Sequence, residues 1–312
     1  MNNGQDHFSI IIIPDTQGMV LNYPELYMRL GESVAERVNM GPVKAVLHVG
    51  DLVDDGAADE EQYRTAFKAL SPIMSVSGNT PYLFAIGNHD YDNILAQDRS
   101  STMFNQYFGI GCYAGREWLG GVFEEGKMEN AYVLIQDAEC PLLIVSLEFG
   151  PRDEVLRWAD HVIESNADYN VIIVTHCFLH SSGHRTTAAD ELHPASYYGS
   201  RDGNDGQSMW NKSFRKHPNL IAIFSGHHVP ENVSVRVDEG AAGQSVAQVF
   251  QNWQLEPFGG EGRYRIADFY PREGKLKLSV YNAAAEQYEF EDGYEMTVPI
   301  CFRNNNRQGK LP

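Results

Sequence analysis

Five apolar runs in this chain each break into Asp, Asn or His, and that recurrence constrains the fold more than any other feature of the sequence. The pattern is plainest in Lys44-Ala45-Val46-Leu47-His48-Val49-Gly50-Asp51-Leu52-Val53-Asp54-Asp55, where a run of Val, Leu and Ala stops at glycine and gives three carboxylates within five residues. A run of this kind predicts a buried parallel strand, and open α/β sheets place their ligands at the C-terminal ends of such strands. Carboxylates crowded at one point repel unless a cation lies between them. Taken alone, the stretch reads equally as a polar loop with Asp capping the next helix.

The remaining runs repeat the arrangement. Phe8 to Ile13 stops at Pro14-Asp15-Thr16-Gln17-Gly18. Between these two runs Leu26, Leu30, Val34 and Val38 recur every four residues, with Pro24 at the start and Gly41-Pro42 at the end, which predicts an amphipathic helix. Strand, helix and strand predict a right-handed βαβ unit whose parallel strands bring Asp15 and Asp51 to the same sheet edge. Asp59 is expected to cap a second helix, with Tyr63, Phe67 and Leu70 inward and Pro72 at its end. Tyr82 to Ile86 breaks at Gly87-Asn88-His89-Asp90, Val171 to Thr175 at His176-Cys177, and Leu220 to Phe224 at Ser225-Gly226-His227-His228-Val229. Amide carbonyls and imidazoles are metal ligands, and an imidazole is also a proton donor or acceptor near neutral pH.

Residues 93–126 have poor periodicity and many aromatics, and read as a long packed loop or small insertion beside the sheet. Ala131 to Gln136 and Leu142 to Phe149 predict a hairpin, followed by a helix opened by Pro151, Asp153 and Glu154. Residues 180–205, rich in Ser, Gly, Asp and His, predict a binding loop or a plain surface loop; His184 and Arg185 are its candidates for substrate contact. From Val233 onward, runs at Val246 to Phe250, Tyr264 to Tyr270 and Lys275 to Tyr281 predict an antiparallel meander. With no linker and no repeat, residues 1–312 are expected to form one domain with two packed sheets, and residues 303–312 a frayed tail.

A net charge of −18 disfavours long nucleic acids and anionic membranes, which bind chiefly through Lys and Arg. Cys112, Cys140, Cys177 and Cys301 show no CxxC spacing and read as unpaired thiols, with two disulfides the open alternative. The chain shows no leader pattern and no run of membrane-spanning length, so the expected location is cytoplasmic, or secreted or periplasmic if a signal peptide has been removed.

In order, Asp15-Thr16-Gln17, Gly50-Asp51-Leu52-Val53-Asp54, Gly87-Asn88-His89-Asp90, Thr175-His176 and Gly226-His227-His228 resemble the motif blocks of the calcineurin-like metallophosphoesterases. The Pro-Asp-Thr-Gln form also resembles a bacterial subgroup of that family. The resemblance implies an α/β fold, a four-layer αββα sandwich of two mixed β-sheets flanked by helices. It also implies two divalent metals at the strand ends, drawn from Mn, Fe, Zn, Mg and Ca. Carried across residue by residue, Asp51 bridges the metals, Asp15 and Gln17 serve the first, and Asn88, His176 and His227 complete the second. His89 would protonate the leaving oxygen, and Asp54 would orient its imidazole and raise its pKa. The activity implied is metal-dependent hydrolysis of a small or exposed phosphoester.

Two departures fall on the first metal, because the family has His where Gln17 and Val229 stand. The Gln17 carbonyl suits Mn, Mg or Ca better than Zn, and His228 reaches the vacant place only if its loop bulges. These departures support an alternative expectation, a catalytically weak protein that binds phosphate through one metal.

Overall fold

Four isoleucines in a row, Ile10 to Ile13, leave no polar face, and β1 (Phe8–Ile13) is buried along its whole length. The computed structural model describes residues 7–56, 59–76, 78, 80–93, 97–137 and 140–303, so the expected tail lies, apart from Arg303, outside the described residues. After β1 come α1 (Gln17–Asn22), α2 (Pro24–Met40), β2 (Val43–His48), α3 (Glu60–Val76) and β3 (Tyr82–Phe84). The middle of the chain forms α4 (Thr102–Phe108), β4 (Leu119–Val122), β5 (Ala131–Ile135), β6 (Leu142–Leu147), α5 (Asp153–Ser165) and β7 (Asn170–Thr175). Then follow α6 (Gly206–Lys212), β8 (Leu220–Ser225), β9 (Val233–Glu239), β10 (Ser245–Gln251), β11 (Arg263–Tyr270), β12 (Lys275–Asn282), β13 (Gln287–Glu289) and β14 (Met296–Pro299).

The strands form two mixed sheets. The first has the order β13-β12-β11-β1-β2-β3 with β14 also on β12, and the second the order β4-β5-β6-β7-β8-β10-β9. In the first, β1, β2 and β3 are parallel, with Ile12 opposite Leu47 and Leu47 opposite Leu83. In the second, β6, β7, β8 and β10 are parallel. The period-two alternation of side chains sorts the core into layers. On β6, β7 and β10, Ile144, Ile172, Val174, Ala247 and Val249 pack with the core of the first sheet. Their neighbours Leu143, Val145, Val171, Ile173, Val246 and Phe250 face Val155, Ala159, Met209 and Trp210 of α5 and α6. On the outer side of the first sheet, Arg37 and Ser33 of α2 bond the Tyr264 hydroxyl of β11 at 3.0 and 3.1 Å. This is the expected sandwich of two sheets between helices.

Several expectations fail for identifiable reasons. Pro72 does not end α3, which runs on to Val76. A proline removes the bond to the carbonyl four residues back, and here the Ser71 hydroxyl donates to that Lys68 oxygen at 2.9 Å. Phe67, expected inside, is 36% exposed. Of the two readings of residues 93–126, a long packed loop or a small insertion, the described part from 97 favours the insertion: it contains α4 and β4, and β4 closes one edge of the second sheet against β5. The C-terminal meander divides between sheets: β9 and β10 extend the second, while β11 crosses over to lie antiparallel to β1. All four cysteines are free thiols. No helix among the described residues is long and apolar enough to cross a membrane.

Candidate active site

The loops that leave β1, β2, β3, β7 and β8 at their C-terminal ends carry Asp15, Asp51, Asn88, His176 and His227, and every one of these side chains is buried. Backbone geometry brings them close. Gly50 holds φ +104°, and a Cβ there would lie 2.8 Å from both the Gly87 nitrogen and His176 Nδ1. A Cβ on Gly226 would lie 2.3 Å from Asp15 Oδ2. Asp51 and His227 themselves take positive φ, 55° and 78°, a strained conformation that clusters at functional sites.

Four donor atoms converge. His176 Nδ1–H donates to the Val49 carbonyl at 2.9 Å, and His227 Nε2–H donates to the Leu192 carbonyl at 2.8 Å. Carbonyls only accept, so these bonds fix the tautomers and leave Nε2 of His176 and Nδ1 of His227 facing each other at 3.1 Å. Asp51 Oδ2 lies 3.1 Å and Asn88 Oδ1 3.2 Å from the same His176 Nε2. A carboxylate, an amide oxygen and two imidazole nitrogens, each imidazole anchored from behind by a carbonyl, are the donor set of a divalent cation site.

The electrostatics state the same requirement for positive charge. Burial lowers the pKa of His176, but Asp51 and Asp15 outweigh it and push the imidazole up to about 9. Burial and the neighbouring His176 hold His227 down at about 3. Burial alone would raise Asp51, yet His176 and His89 keep its carboxylate well below the usual range.

On the other side of Asp51, the Asp15 carboxylate accepts the His227 main-chain N–H at 3.1 and 3.2 Å and lies 3.5 Å from His176 Nδ1. Burial raises its pKa to about 7, with His176 opposing and Asp51 adding to the rise. Gln17 opens α1, and its Oε1 is buried without a hydrogen-bond partner among the described residues. An orphaned carbonyl oxygen two residues after Asp15 fits a second, oxygen-rich cation position. His228 does not swing toward it: its Nε2 lies 2.9 Å from Thr186 Oγ1 and 3.4 Å from Cys177 Sγ.

His89 follows Asn88, and its main-chain N–H donates to Asp51 Oδ1 at 3.0 Å. Its Nδ1–H donates to the main-chain carbonyl of Asp54 at 2.6 Å, whereas the Asp54 carboxylate is 4.0 Å away. The partner of His89 is therefore the Asp54 backbone, where the sequence pointed to the side chain. Burial lowers the pKa of His89, but Asp51 and Asp54 together hold it above its ordinary value. The Gln62 side chain, from α3, accepts the N–H groups of Asp54 and Asp55 at 2.8 and 3.1 Å and so fixes this loop.

Asp90 was given no role from the sequence, and it is the hub of the front loops. Its Oδ2 accepts the N–H groups of Gly87 and Asp51, both at 2.8 Å, and its Oδ1 those of Leu52 and Val53 at 2.8 and 3.1 Å. The signal was its place in Gly-Asn-His-Asp, which says nothing of where the carboxylate points.

The two substrate candidates of the 180–205 loop are not at the site. Arg185 is buried against β9, β10 and α6, bonding Gln248 at 2.8 Å and Asp238 at 2.6 Å with its guanidinium 4.1 Å over the Trp210 ring. An isolated bridge pairs Leu179 with Arg185. His184 is half exposed, bonds Asp190 at 2.8 Å and stacks on His180 at 4.6 Å. It heads a row of imidazoles, His184, His180, His228, His227 and His176, whose successive ring centroids are 4.5–4.8 Å apart. The loop reaches the site through other groups, the Leu192 carbonyl and the Tyr197 ring, 6.3 Å from that of His227.

A family model described as calcineurin-like phosphoesterase matches residues 8–231. A Bacillus subtilis (strain 168) protein named "Uncharacterized protein YvnB" is 25% identical over 292 residues, 92% of this chain; the chain spans 21% of that relative's length. A dimetal phosphatase from Danio rerio (LOC 393393) superposes with a TM-score of 0.52 at 12% identity, over 94% of this chain and 99% of that one, a likeness of fold. Matched over most of its length, and carrying the strand-end residues in order, the chain belongs to the calcineurin-like phosphoesterase family.

Proposed function

We propose that the protein is a metal-dependent hydrolase of small phosphoesters, with Asp51, Asn88, His176 and His227 holding one divalent ion and Asp15, Gln17 and Asp51 offering oxygens to a second. The observation that carries the reading is the convergence of the two carbonyl-anchored imidazoles with Asp51 and Asn88. Divalent ions held there supply Lewis acidity toward the phosphoryl oxygens and lower the pKa of the attacking water.

The chain's own residues do the rest. The Asp54 carbonyl keeps the proton of His89 on Nδ1, so Nε2 is the nitrogen that exchanges protons with substrate. Asp51 and Asp54 favour the protonated imidazole of His89, the form that can donate to a leaving oxygen. Asp90 positions this imidazole through the two loops that it ties together. The net charge of −18 favours small substrates over long polyanions.

A specific observation supports the second reading, a one-metal phosphate binder. Thr186 and Cys177 engage His228, so the first position has no imidazole from the loop after β8. Elemental analysis and turnover separate the two readings. The hydrolase reading expects p-nitrophenyl phosphate or its bis-ester to be cleaved with Mn and not by Asp51→Asn. One tightly held ion, with no turnover on Mn, Mg, Zn, Ca or Fe, rejects the hydrolase and selects the binder.

A further inference from the structure

His48 ends β2, is fully buried and takes no part in the chemistry proposed above, yet both of its ring nitrogens are engaged. The main-chain N–H of Gly50 lies 3.1 Å from Nδ1. A main-chain N–H only donates, so Nδ1 is the accepting nitrogen and the ring proton stands on Nε2. Nε2 lies 3.1 Å from the Thr16 hydroxyl and donates to it.

These two bonds join the loops that carry the metal donors. Gly50 precedes Asp51, and Thr16 stands between Asp15 and Gln17. The Thr16 hydroxyl is also 2.9 Å from the Tyr27 hydroxyl of α2 and 3.3 Å from the Leu52 carbonyl, and Thr16, Tyr27 and Leu52 are all fully buried. A main-chain bond from the Thr16 N–H to the Asp51 carbonyl, at 3.0 Å, already sets the separation of the two loops. One bond leaves rotation about itself free, and the directions of Asp15 and Gln17 depend on that rotation. The tie from the Thr16 side chain to His48 removes it. His176 and His227 need no such help, because the Val49 and Leu192 carbonyls anchor them from behind. The imidazole of His48 therefore bears on the oxygen-rich cation position more than on the one with two imidazoles.

We propose that His48 is a positioning residue: by accepting from Gly50 and donating to Thr16, it holds the Asp15 and Gln17 oxygens in register with Asp51 and sets the affinity of the oxygen-rich position. This rests on the two-ion centre proposed above. Calorimetric titration of the full chain with Mn tests it, and Gln17→Ala marks the binding phase that belongs to that position. His48→Phe keeps a ring beside Phe84 and removes both hydrogen bonds, while Thr16→Val keeps the side-chain shape and removes one. Each is expected to weaken the marked phase at least about tenfold and the other phase less than about threefold. A residue that served stability alone would not separate the two phases. Because both substitutions act on one bond, the double variant is expected to lose little more than His48→Phe. Equal losses in the two phases, no loss in either variant, or fully additive losses overturn the role of His48 and leave the two-ion centre standing. One Mn in the wild type, or a Gln17→Ala titration identical to it, overturns the oxygen-rich position and this role together. If His48→Phe does not fold, Thr16→Val decides alone.

Discussion

The Asp90→Asn substitution is the sharpest probe of how the site is held. In the native protein each carboxylate oxygen accepts two main-chain N–H groups, Oδ1 those of Leu52 and Val53, Oδ2 those of Gly87 and Asp51. An asparagine has one acceptor oxygen, so whichever way the amide turns, two N–H donors face an NH2 group. At pH 8, above the value of about 7 to which burial and Asp51 raise the Asp90 carboxyl, each lost bond to a charged acceptor is worth about 1.5–3 kcal/mol, and the two that survive weaken to neutral bonds. Burying a neutral amide in place of a charge returns part of this, which leaves a net destabilisation of about 2–4 kcal/mol. The functional loss is separate from the stability loss. Because Oδ2 joins the loop of Asp51 to that of Asn88, releasing either pair moves one metal donor against another, and Mn affinity is expected to fall about 10–100-fold. Urea unfolding and calorimetric Mn titration measure the two. A variant within about 0.5 kcal/mol of wild type and with unchanged Mn affinity would refute the hub.

Replacing His89 with Ala is expected to lower kcat by about 100–10,000-fold while leaving metal content intact. The loss should be larger for an alkyl ester than for a p-nitrophenyl ester, which departs without a proton, and steady-state kinetics on the pair reads the difference. Arg265 of β11 is fully buried with Nε and both Nη atoms unpartnered among the described residues, and burial lowers its pKa to about 10. Arg265→Met should therefore be neutral or stabilising by about 1 kcal/mol in chemical unfolding; a loss above about 2 kcal/mol would show that the guanidinium has partners that the described contacts omit.

The strand-end donors were legible in the sequence because the signal was doubled, each being an apolar run and a metal-competent residue at its end. Asp15, Asp51, Asn88, His176 and His227 could be brought to one rim by the strand pattern alone, and the structure brings them there. Spacing could not say which oxygen of Asp54 faces His89, since side chain and backbone share one sequence position. Nor could it orient Arg185: the 180–205 segment has no period, and the partners that hold the guanidinium, Gln248, Asp238 and the Trp210 ring, are distant in sequence. The division of the C-terminal strands was hidden for a similar reason. Alternation marks a half-buried strand but not which sheet it joins, and β10 and β11 carry comparable patterns into different sheets.

The pairing of β1 with β11, Phe8 opposite Phe269, also bears on how the protein comes into being. On the ribosome, the strand that delivers Asp15 waits for its second neighbour until β11, far along the sequence, has been made. Until then one side of β1 is an open edge of buried-type isoleucines, the kind of surface that recruits other chains. A gene cut at residue 231, where the family match ends, would encode every proposed metal donor and still leave β1 and β8 each without a neighbouring strand. The stretch that carries the chemistry is thus shorter than the stretch that completes both sheets around it.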